Sequence, residues 1–272
     1  MMSFSLRLLA LSGFLSTLVV EGSLLRTGHA DPKTVTKKCA PDFNVPYHSQ
    51  YMEDEIIFNA FFGLVPKCDG VVVEMGGFDG KTFSNSWFFQ YAVNWRALLV
   101  EAFPGNYEKM VVNRPDAINV FGAICPEDSV AFQPAISAAT GGVLKDMSES
   151  HKQQFADGSA AVLDVPCMML SELFQKNGIR HVDLFFLDVE GGELTVLETF
   201  DWSIRIDIFV VEMDARVPEK DEAVRQLLYK RGYVTPFSLL AECNHQTAEC
   251  MPSEIFVMRD FADRNFADAV PL

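Results

Sequence analysis

Apolar residues in this chain come in short blocks separated by polar, glycine-marked turns, and the blocks are of two kinds. Runs apolar at successive positions stand at 71–75, 97–102, 117–123, 182–188 and 206–212. A strand that is apolar on both faces suits a central parallel position covered by helices, so five such strands are expected here. Between the later runs, apolar residues recur at helical spacing: Leu170, Leu173 and Phe174, then Leu194, Leu197 and Phe200, then Val224, Leu227 and Leu228. Each stripe reads as the buried face of one helix. Residues 232–237 and 255–258 read as two closing strands. Repeated strand–helix units ending in a strand pair predict an α/β chain with a mostly parallel sheet of about seven strands and helices on both faces. The stretch from Pro126 to Val165 breaks the alternation, matches no motif, and is expected to hang over one edge of the sheet.

The amino-terminal pattern is different. Arg7 precedes an uncharged run from Leu8 to Val20, closed by Glu21. Such a run is short of the ~20 residues of a membrane span and matches the apolar part of a signal peptide. Residues 1–22 are therefore expected to be a signal peptide or an uncleaved signal anchor. The polar, proline-punctuated residues 23–47 read as a linker, 48–260 as one catalytic-type domain, and 261–272 as a tail. The leader implies the secretory pathway, in the lumen, secreted or membrane-anchored, where disulfides are permitted. Cys243 and Cys250 flank a short polar loop, and Cys39 and Cys68 form a second candidate pair. With Cys125 and Cys167 also present, several connectivities remain open.

Composition narrows the partners. The chain has 22 Lys and Arg against 37 Asp and Glu, a net charge of −15, which sets the average field against a phosphate backbone. Nucleic acid is not an expected partner, and a membrane is expected only through the leader. With 49% hydrophobic and 22% charged residues, the chain can bury a substantial core. No pair of cysteines has zinc-finger spacing.

In an open α/β sheet, ligands bind beyond the carboxyl ends of the strands. The first strand ends in Glu74-Met-Gly76-Gly77-Phe-Asp79-Gly80, where glycines let a backbone approach a ligand closely. This spacing is not that of dinucleotide enzymes, and no phosphate-loop lysine pattern occurs. The second strand ends at Glu101, a place from which a carboxylate can accept both hydroxyls of a ribose. The fourth ends in Asp188-Val-Glu190-Gly191-Gly192-Glu193, three carboxylates in six residues. Helix capping accounts for Glu193 and Glu190 but not for Asp188, which belongs to the strand. Glu212 and Asp214, after the fifth strand, are candidates for the same cluster.

These strings resemble the FkbM family of S-adenosylmethionine-dependent methyltransferases, whose signature is Asp-x-Glu-Gly-x-Glu after strand four. The resemblance runs from about Ser49 to Met258. It is strongest to a eukaryotic, secretory or membrane-linked branch, through Ser49-Gln50-x-x-x-Asp54, Ser84-Asn85-Ser86, Trp95 and Asn113-Arg114-Pro115. Met75 before the first glycine, and Ala102-Phe103-Pro104 where Glu-Pro is commoner, depart from the family pattern. The resemblance implies a Rossmann-like class I methyltransferase fold and S-adenosyl-L-methionine as cofactor. Gln50, Asp54, Glu74, Gly76, Gly77, Gly80, Glu101 and Ala123 would hold the donor, with Asp188 and then Glu190 as catalytic residues. The expected reaction is O-methylation of a hydroxyl on a sugar or small metabolite, so the partner is a small-molecule or glycan acceptor. A hydroxyl acceptor needs a base for its proton; Asp188 is the first candidate, Glu190 the second and His245 an alternative. A metal on Asp188, Glu212 and Asp214 is weighed and set aside, because no His or Asn is placed to complete it. The rival reading is a non-catalytic, membrane-tethered trafficking or interaction protein that keeps the fold. The acidic and glycine set argues against it, since folding alone does not require those residues. Nothing in the sequence sets an oligomeric state.

Overall fold

Successive side chains of a strand point to opposite faces, so the fully apolar strands of this chain need cover on both sides. The computed structural model describes residues 40–213, 215–235 and 253–266. The chain begins with α1 (Glu53–Ile57), continued by a π-helical turn at Phe58–Phe62, then β1 (Val71–Met75), α2 (Trp87–Tyr91), β2 (Arg96–Glu101), α3 (Pro104–Asn113) and β3 (Ile118–Phe121). There follow β4 (Ala123–Ile124), β5 (Ser129–Gln133), β6 (Gly142–Val143), α4 (Glu149–Phe155), β7 (Leu163–Met168) and α5 (Leu170–Lys176). The last elements are β8 (His181–Leu187), α6 (Glu193–Glu198), β9 (Arg205–Glu212), α7 (Pro218–Lys230), β10 (Tyr233–Val234), β11 (Ser253–Met258) and α8 (Arg259–Phe266). Among the described residues no helix is long and apolar enough to cross a membrane. The leader, Cys39, Asp214, and the loop carrying Cys243, His245 and Cys250 lie outside the described residues.

Seven strands form the main sheet in the order β10-β11-β9-β8-β1-β2-β3. The pairs β1–β2, β2–β3, β1–β8 and β8–β9 are parallel, and β11 runs antiparallel to β9 and β10. This is the Rossmann-like α/β sheet anticipated from the pattern. The alternation is visible at Phe185 and Phe186, both fully buried but in different cores. Phe185 packs with Val73, Leu98 and Phe209 against Leu173 and Phe174 of α5 and Val224 and Leu228 of α7. Phe186 packs with Val72, Leu99 and Val210 against Phe58, Phe88 and Phe89 on the other face. Burial of each such ring stabilises the fold by roughly 1.5–3 kcal/mol. Residues expected to be linker already join this second core: Tyr47 stacks on Phe88 at 4.2 Å, and the Asp42 N–H donates to Ala92 C=O at 2.9 Å.

The third strand is shorter than expected, and the reason lies at Gly122. Its φ is +141°, and a Cβ there would lie 2.7 Å from the Pro166 carbonyl oxygen. The chain turns out of the main sheet at that glycine and enters a second, four-stranded sheet of order β4-β7-β5-β6. Residues 126–165 are therefore a folded subdomain built on its own small core of Ala123, Cys125, Val130, Phe132 and Val165. A disulfide between Cys125 and Cys167, 42 residues apart, ties its two ends. Cys68 is disulfide-bonded as well.

Candidate functional site

The order of the main sheet reverses between β1 and β8: the chain builds outward through β2 and β3, then returns to add β8 and β9 on the other side. A crevice opens at the carboxyl ends of strands beside such a switch point. Two adjoining cavities occupy it. The first is lined by Gly76 and Phe78 after β1, Glu101 at the end of β2, Ala123 of β4, and Asp188 and Glu190 after β8. The second is lined by Gln50, Glu74, Gly77, Phe83, His151 and Glu212, among others. Gly76, Phe78, Ala139, Asp188 and Glu190 line both, so the two spaces meet at the ends of β1 and β8.

Gly76 makes the meeting of β1 and β8 geometrically feasible. Its φ is +81°, and a Cβ would stand 1.9 Å from the Asp188 carbonyl oxygen. Its N–H and that of Gly77 both donate to Val100 C=O, at 3.1 and 3.0 Å, which bends the loop over β2. Gly80, also at positive φ, lines neither cavity; its carbonyl accepts from Arg114 Nη1 at 3.0 Å.

Glu101 is buried at the wall of the first cavity. One carboxylate oxygen accepts the Phe78 N–H at 2.8 Å and the other the Phe103 N–H at 2.7 Å. Burial pushes its carboxyl up to about 7, and those backbone donors together with the Asn106 amide partly offset that effect. Each oxygen keeps acceptor capacity for a further donor, as a ribose diol requires. Gly76, the Glu101 carboxylate and the buried Asn106 amide thus fit an adenosyl ligand. Such a ligand would be held by Glu101, Ala123 and the glycine turn.

Glu74 and Asp54 are committed to the protein itself. Glu74 accepts from the Asn85 N–H at 2.7 Å and from the hydroxyls of Ser84, at 2.9 Å, and Ser86. Those hydroxyls in turn accept from Arg114 Nη1 and Nη2, each at 2.9 Å. Arg114 is itself fully buried, donates to Gln90 at 2.6 Å, and lies over the Trp87 and Tyr91 rings. Burial raises the Glu74 carboxyl, and the Arg114 charge opposes that shift. Asp54, fully buried, accepts the His48 N–H at 2.7 Å and the Ser49 hydroxyl at 2.5 Å, and lines neither cavity. It fixes the 48–54 turn that brings Gln50 and Tyr51 to the second cavity.

The acidic string after β8 is shaped by two of its own members. Glu193, buried at the first turn of α6, accepts the N–H groups of Val189 and Gly191 at 3.0 and 3.2 Å. Burial pushes its carboxyl up to about 7. Glu190 sits at φ +58°, a left-handed conformation that costs a non-glycine residue about 1–2 kcal/mol. That turn presents Glu190 to both cavities. Burial, then the neighbouring charges of Asp188, Glu190 and Glu193, hold the Glu212 carboxyl well above the usual range, and it hydrogen-bonds Asp188. A proton held between Glu212 and Asp188 relieves this crowding.

The 126–165 subdomain contributes what the sequence did not indicate. His151, buried on α4, places Nδ1 3.5 Å from Glu190 Oε2 and Nε2 2.9 Å from Thr140 C=O. The carbonyl can only accept, so Nε2 carries a proton and Nδ1 is left toward Glu190. Asn106, at the start of α3, reaches the same subdomain by donating to Ala138 C=O at 2.8 Å. Lys220 of α7 donates to Gly191 C=O at 2.9 Å and to Asp146 C=O, pinning the subdomain to the acidic loop. No spacing rule marks His151 or Asn106, since each meets its partners only through tertiary packing. The subdomain therefore walls the crevice instead of hanging over a sheet edge.

A family model, the methyltransferase FkbM domain, matches residues 69–235, which includes β1 through β10. The chain belongs to the FkbM methyltransferase family. S-adenosyl-L-methionine is the expected cofactor of such a methyltransferase. Among solved structures, a TehB-like SAM-dependent methyltransferase from Corynebacterium glutamicum is 11% identical over 77% of this chain and 89% of its own, with a TM-score of 0.40. Aeropyrum pernix fibrillarin, solved with natively bound S-adenosyl-L-methionine, is 12% identical over 69% of this chain and 65% of its own, at 0.36. A precorrin-6y C5,15-methyltransferase from Geobacter metallireducens is 11% identical over 80% of this chain and 91% of its own, at 0.35. Curated protein sequences provide no match.

Proposed function

We propose that this FkbM methyltransferase transfers a methyl group to a hydroxyl of a sugar or small metabolite. The observation that carries the reading is the junction of the two cavities at Gly76, Phe78, Ala139, Asp188 and Glu190. The first cavity, with Glu101, is the donor side, and the second is the acceptor side. When bound, S-adenosylmethionine supplies a sulfonium methyl open to in-line displacement. What the chain's residues contribute is orientation of the two partners and management of one proton.

The lining of the second cavity supports a neutral, hydroxyl-bearing acceptor. Gln50, Thr82, Asn85 and Thr140 offer neutral hydrogen bonds, and Tyr51 and Phe83 offer exposed aromatic faces. Asp188 and Glu190 on the lining set a negative field against an anionic acceptor, opposed in part by Arg216. Asp188, hydrogen-bonded to Glu212 and lining both cavities, is the base that takes the hydroxyl proton. Glu190 is the second candidate, with His151 beside it to receive the charge. The Cys125–Cys167 disulfide supports an oxidising, secretory location for the chain, in line with the eukaryotic secretory branch of the family.

Calorimetric titration of the full chain with S-adenosylmethionine tests the donor side, repeated on Glu101→Ala. Binding by the wild type and at least tenfold weaker binding by the variant are expected; no heat from the wild type would sink the reading. A screen of neutral sugars and small alcohols with methyl-labelled donor then identifies the acceptor.

A further inference from the structure

Asn106 is a buried polar residue with an unfilled position. It is 2% exposed and lines the first cavity next to Glu101, Ala102 and Phe78. Its side-chain amide offers two N–H donors and one carbonyl acceptor. One donor is given to Ala138 C=O at 2.8 Å. The amide also lies against the Glu101 carboxylate, where it favours the ionised form. Both neighbours are oxygens, so rotating the amide by half a turn would set Oδ1 against two acceptors. The orientation is therefore fixed by its surroundings, and Oδ1 is the atom left over. It is buried and has no hydrogen-bond partner.

A buried acceptor with no donor is rare in folded proteins, and one on the wall of a ligand cavity points to a donor supplied by the ligand. The two hydroxyls of a ribose are such donors. Glu101 stands at the end of β2, the position from which a carboxylate takes ribose hydroxyls in sheets of this kind. Asn106 lies against that same carboxylate, so a hydroxyl held by Glu101 would be presented beside its amide. The backbone supports the placement: the Asn106 N–H donates to Phe103 C=O at 3.1 Å, and the Phe103 N–H donates to Glu101. The two side chains are thus held as one unit by the turn between β2 and α3.

We infer that Asn106 Oδ1 accepts a hydrogen bond from one ribose hydroxyl of the donor, and that Asn106 with Glu101 selects an intact ribose. The inference rests on the first cavity being the donor site. It adds a residue that neither the family signature nor the strand-end rule points to. It also gives the Ala138 contact a role: the 126–165 subdomain orients the amide that reads the sugar.

The test is a calorimetric cycle on the full chain with S-adenosylhomocysteine and its 2′-deoxy and 3′-deoxy analogues, using wild type and Asn106→Ala. The wild type is expected to bind each deoxy analogue at least tenfold more weakly than the parent. Asn106→Ala is expected to bind the parent roughly tenfold more weakly and to lose discrimination against one of the two analogues, keeping it against the other. Unchanged discrimination against both would overturn the inference while leaving the donor site standing. No binding of the parent by the wild type would instead remove the donor site itself. The wild-type chain supplies a second readout that does not depend on the variant's folding. With 13C-labelled asparagine, the Asn106 Cγ resonance is expected to move on adding the parent and to return toward its free position with the analogue that lacks the partner hydroxyl. A Cγ resonance that responds to all three ligands alike would also overturn it.

Discussion

Arg114 and Glu74 are joined through the hydroxyls of Ser84 and Ser86, each of which donates to the carboxylate and accepts from the guanidinium. Three strings that lie far apart in the chain, around residues 74, 85 and 114, thus meet in one buried network. Its members serve the site by holding the glycine turn after β1, since the same guanidinium also binds Gly80 C=O.

Removing the guanidinium leaves a buried carboxylate and two hydroxyls without their partner. Arg114→Met is expected to lower stability by about 3–5 kcal/mol in urea denaturation. Arg114→Lys should recover little, because an ammonium on a flexible stem cannot serve Gln90, Gly80, Ser84 and Ser86 together. A loss below 1 kcal/mol would show that the network is not structural.

The position of Glu101 gives opposite pH dependences to the free and the liganded chain. Its carboxyl is pushed up from 4.5 to about 7 by burial, so the folded, unliganded chain holds a proton that the unfolded chain has lost. That contribution, about 3 kcal/mol at most, is present near pH 5 and disappears as pH rises through 7. Hydroxyls of a bound ribose need the ionised form, so donor affinity should be greatest above pH 7 and fall roughly tenfold per pH unit below it. Thermal melts and calorimetry between pH 5.5 and 8.5 measure both. Glu101→Gln should flatten the affinity curve and only reduce the slope of the stability curve, to which Glu193 and Glu212 also contribute, and an unaltered affinity profile in that variant would place the titrating group elsewhere.

Gly76 tolerates no side chain. Gly76→Ala combines a left-handed φ with a Cβ 1.9 Å from a carbonyl oxygen, so β1 and β8 would have to separate locally. We expect at least a tenfold loss of donor affinity, measured by calorimetry, together with a lowered melting temperature. Gly80→Ala, at φ +78° and 2.8 Å from the Arg114 side chain, should mainly affect stability.

Much of this was readable in the chain before any coordinates. The five apolar runs became β1, β2, β3, β8 and β9 because two-sided burial leaves a continuous apolar signature. The helix stripes at Leu170, Val224 and Leu194 are likewise core faces. At the site, Gly76, Glu101, Ala123, Asp188 and Glu190 share one cavity, as strand-end logic places them. Roles inside the site were harder to read. Glu74 and Asp54 are spent on internal hydrogen bonds, and a linear string does not reveal whether a carboxylate faces ligand or protein. The fold of 126–165 was also hidden, since its two- to six-residue strands are set by pairing partners and by one disulfide, not by periodicity.

His151 is expected to matter for turnover and little for donor binding. With an acceptor in hand, Asp188→Asn should lower kcat by about 10²-fold or more, the range of general acid–base effects, whereas His151→Gln should lower it less and leave donor affinity within about threefold. Glu190→Gln should behave alike if the two act as a pair, and the double variant should cost no more than either alone. Equal losses in donor binding would mark the histidine as a packing residue of α4.

The disulfide between Cys125 and Cys167 closes 42 residues. By chain entropy that is worth about 4 kcal/mol, and the paired Cys125→Ser, Cys167→Ser chain should melt several degrees lower. Treatment with reductant should lower the wild type by at least that shift, and the variant only by the amount that its remaining disulfide at Cys68 contributes.

Because the chain leaves the main sheet at Gly122, re-enters it only at β8, and is tied between Cys125 and Cys167, residues 126–165 resemble a cassette with joined ends. The wall they provide faces both sides, with Thr140, His151 and Phe155 on the acceptor side and Phe132, Ala138 and Val143 on the donor side, whereas Gly76 and Glu101 belong to the scaffold. Exchange of this segment would therefore change the acceptor side and, through the Ala138 contact to Asn106, adjust the hold on the methyl donor at the same time. A chimaera that exchanges only this segment between two relatives is the natural way to move acceptor choice by hand.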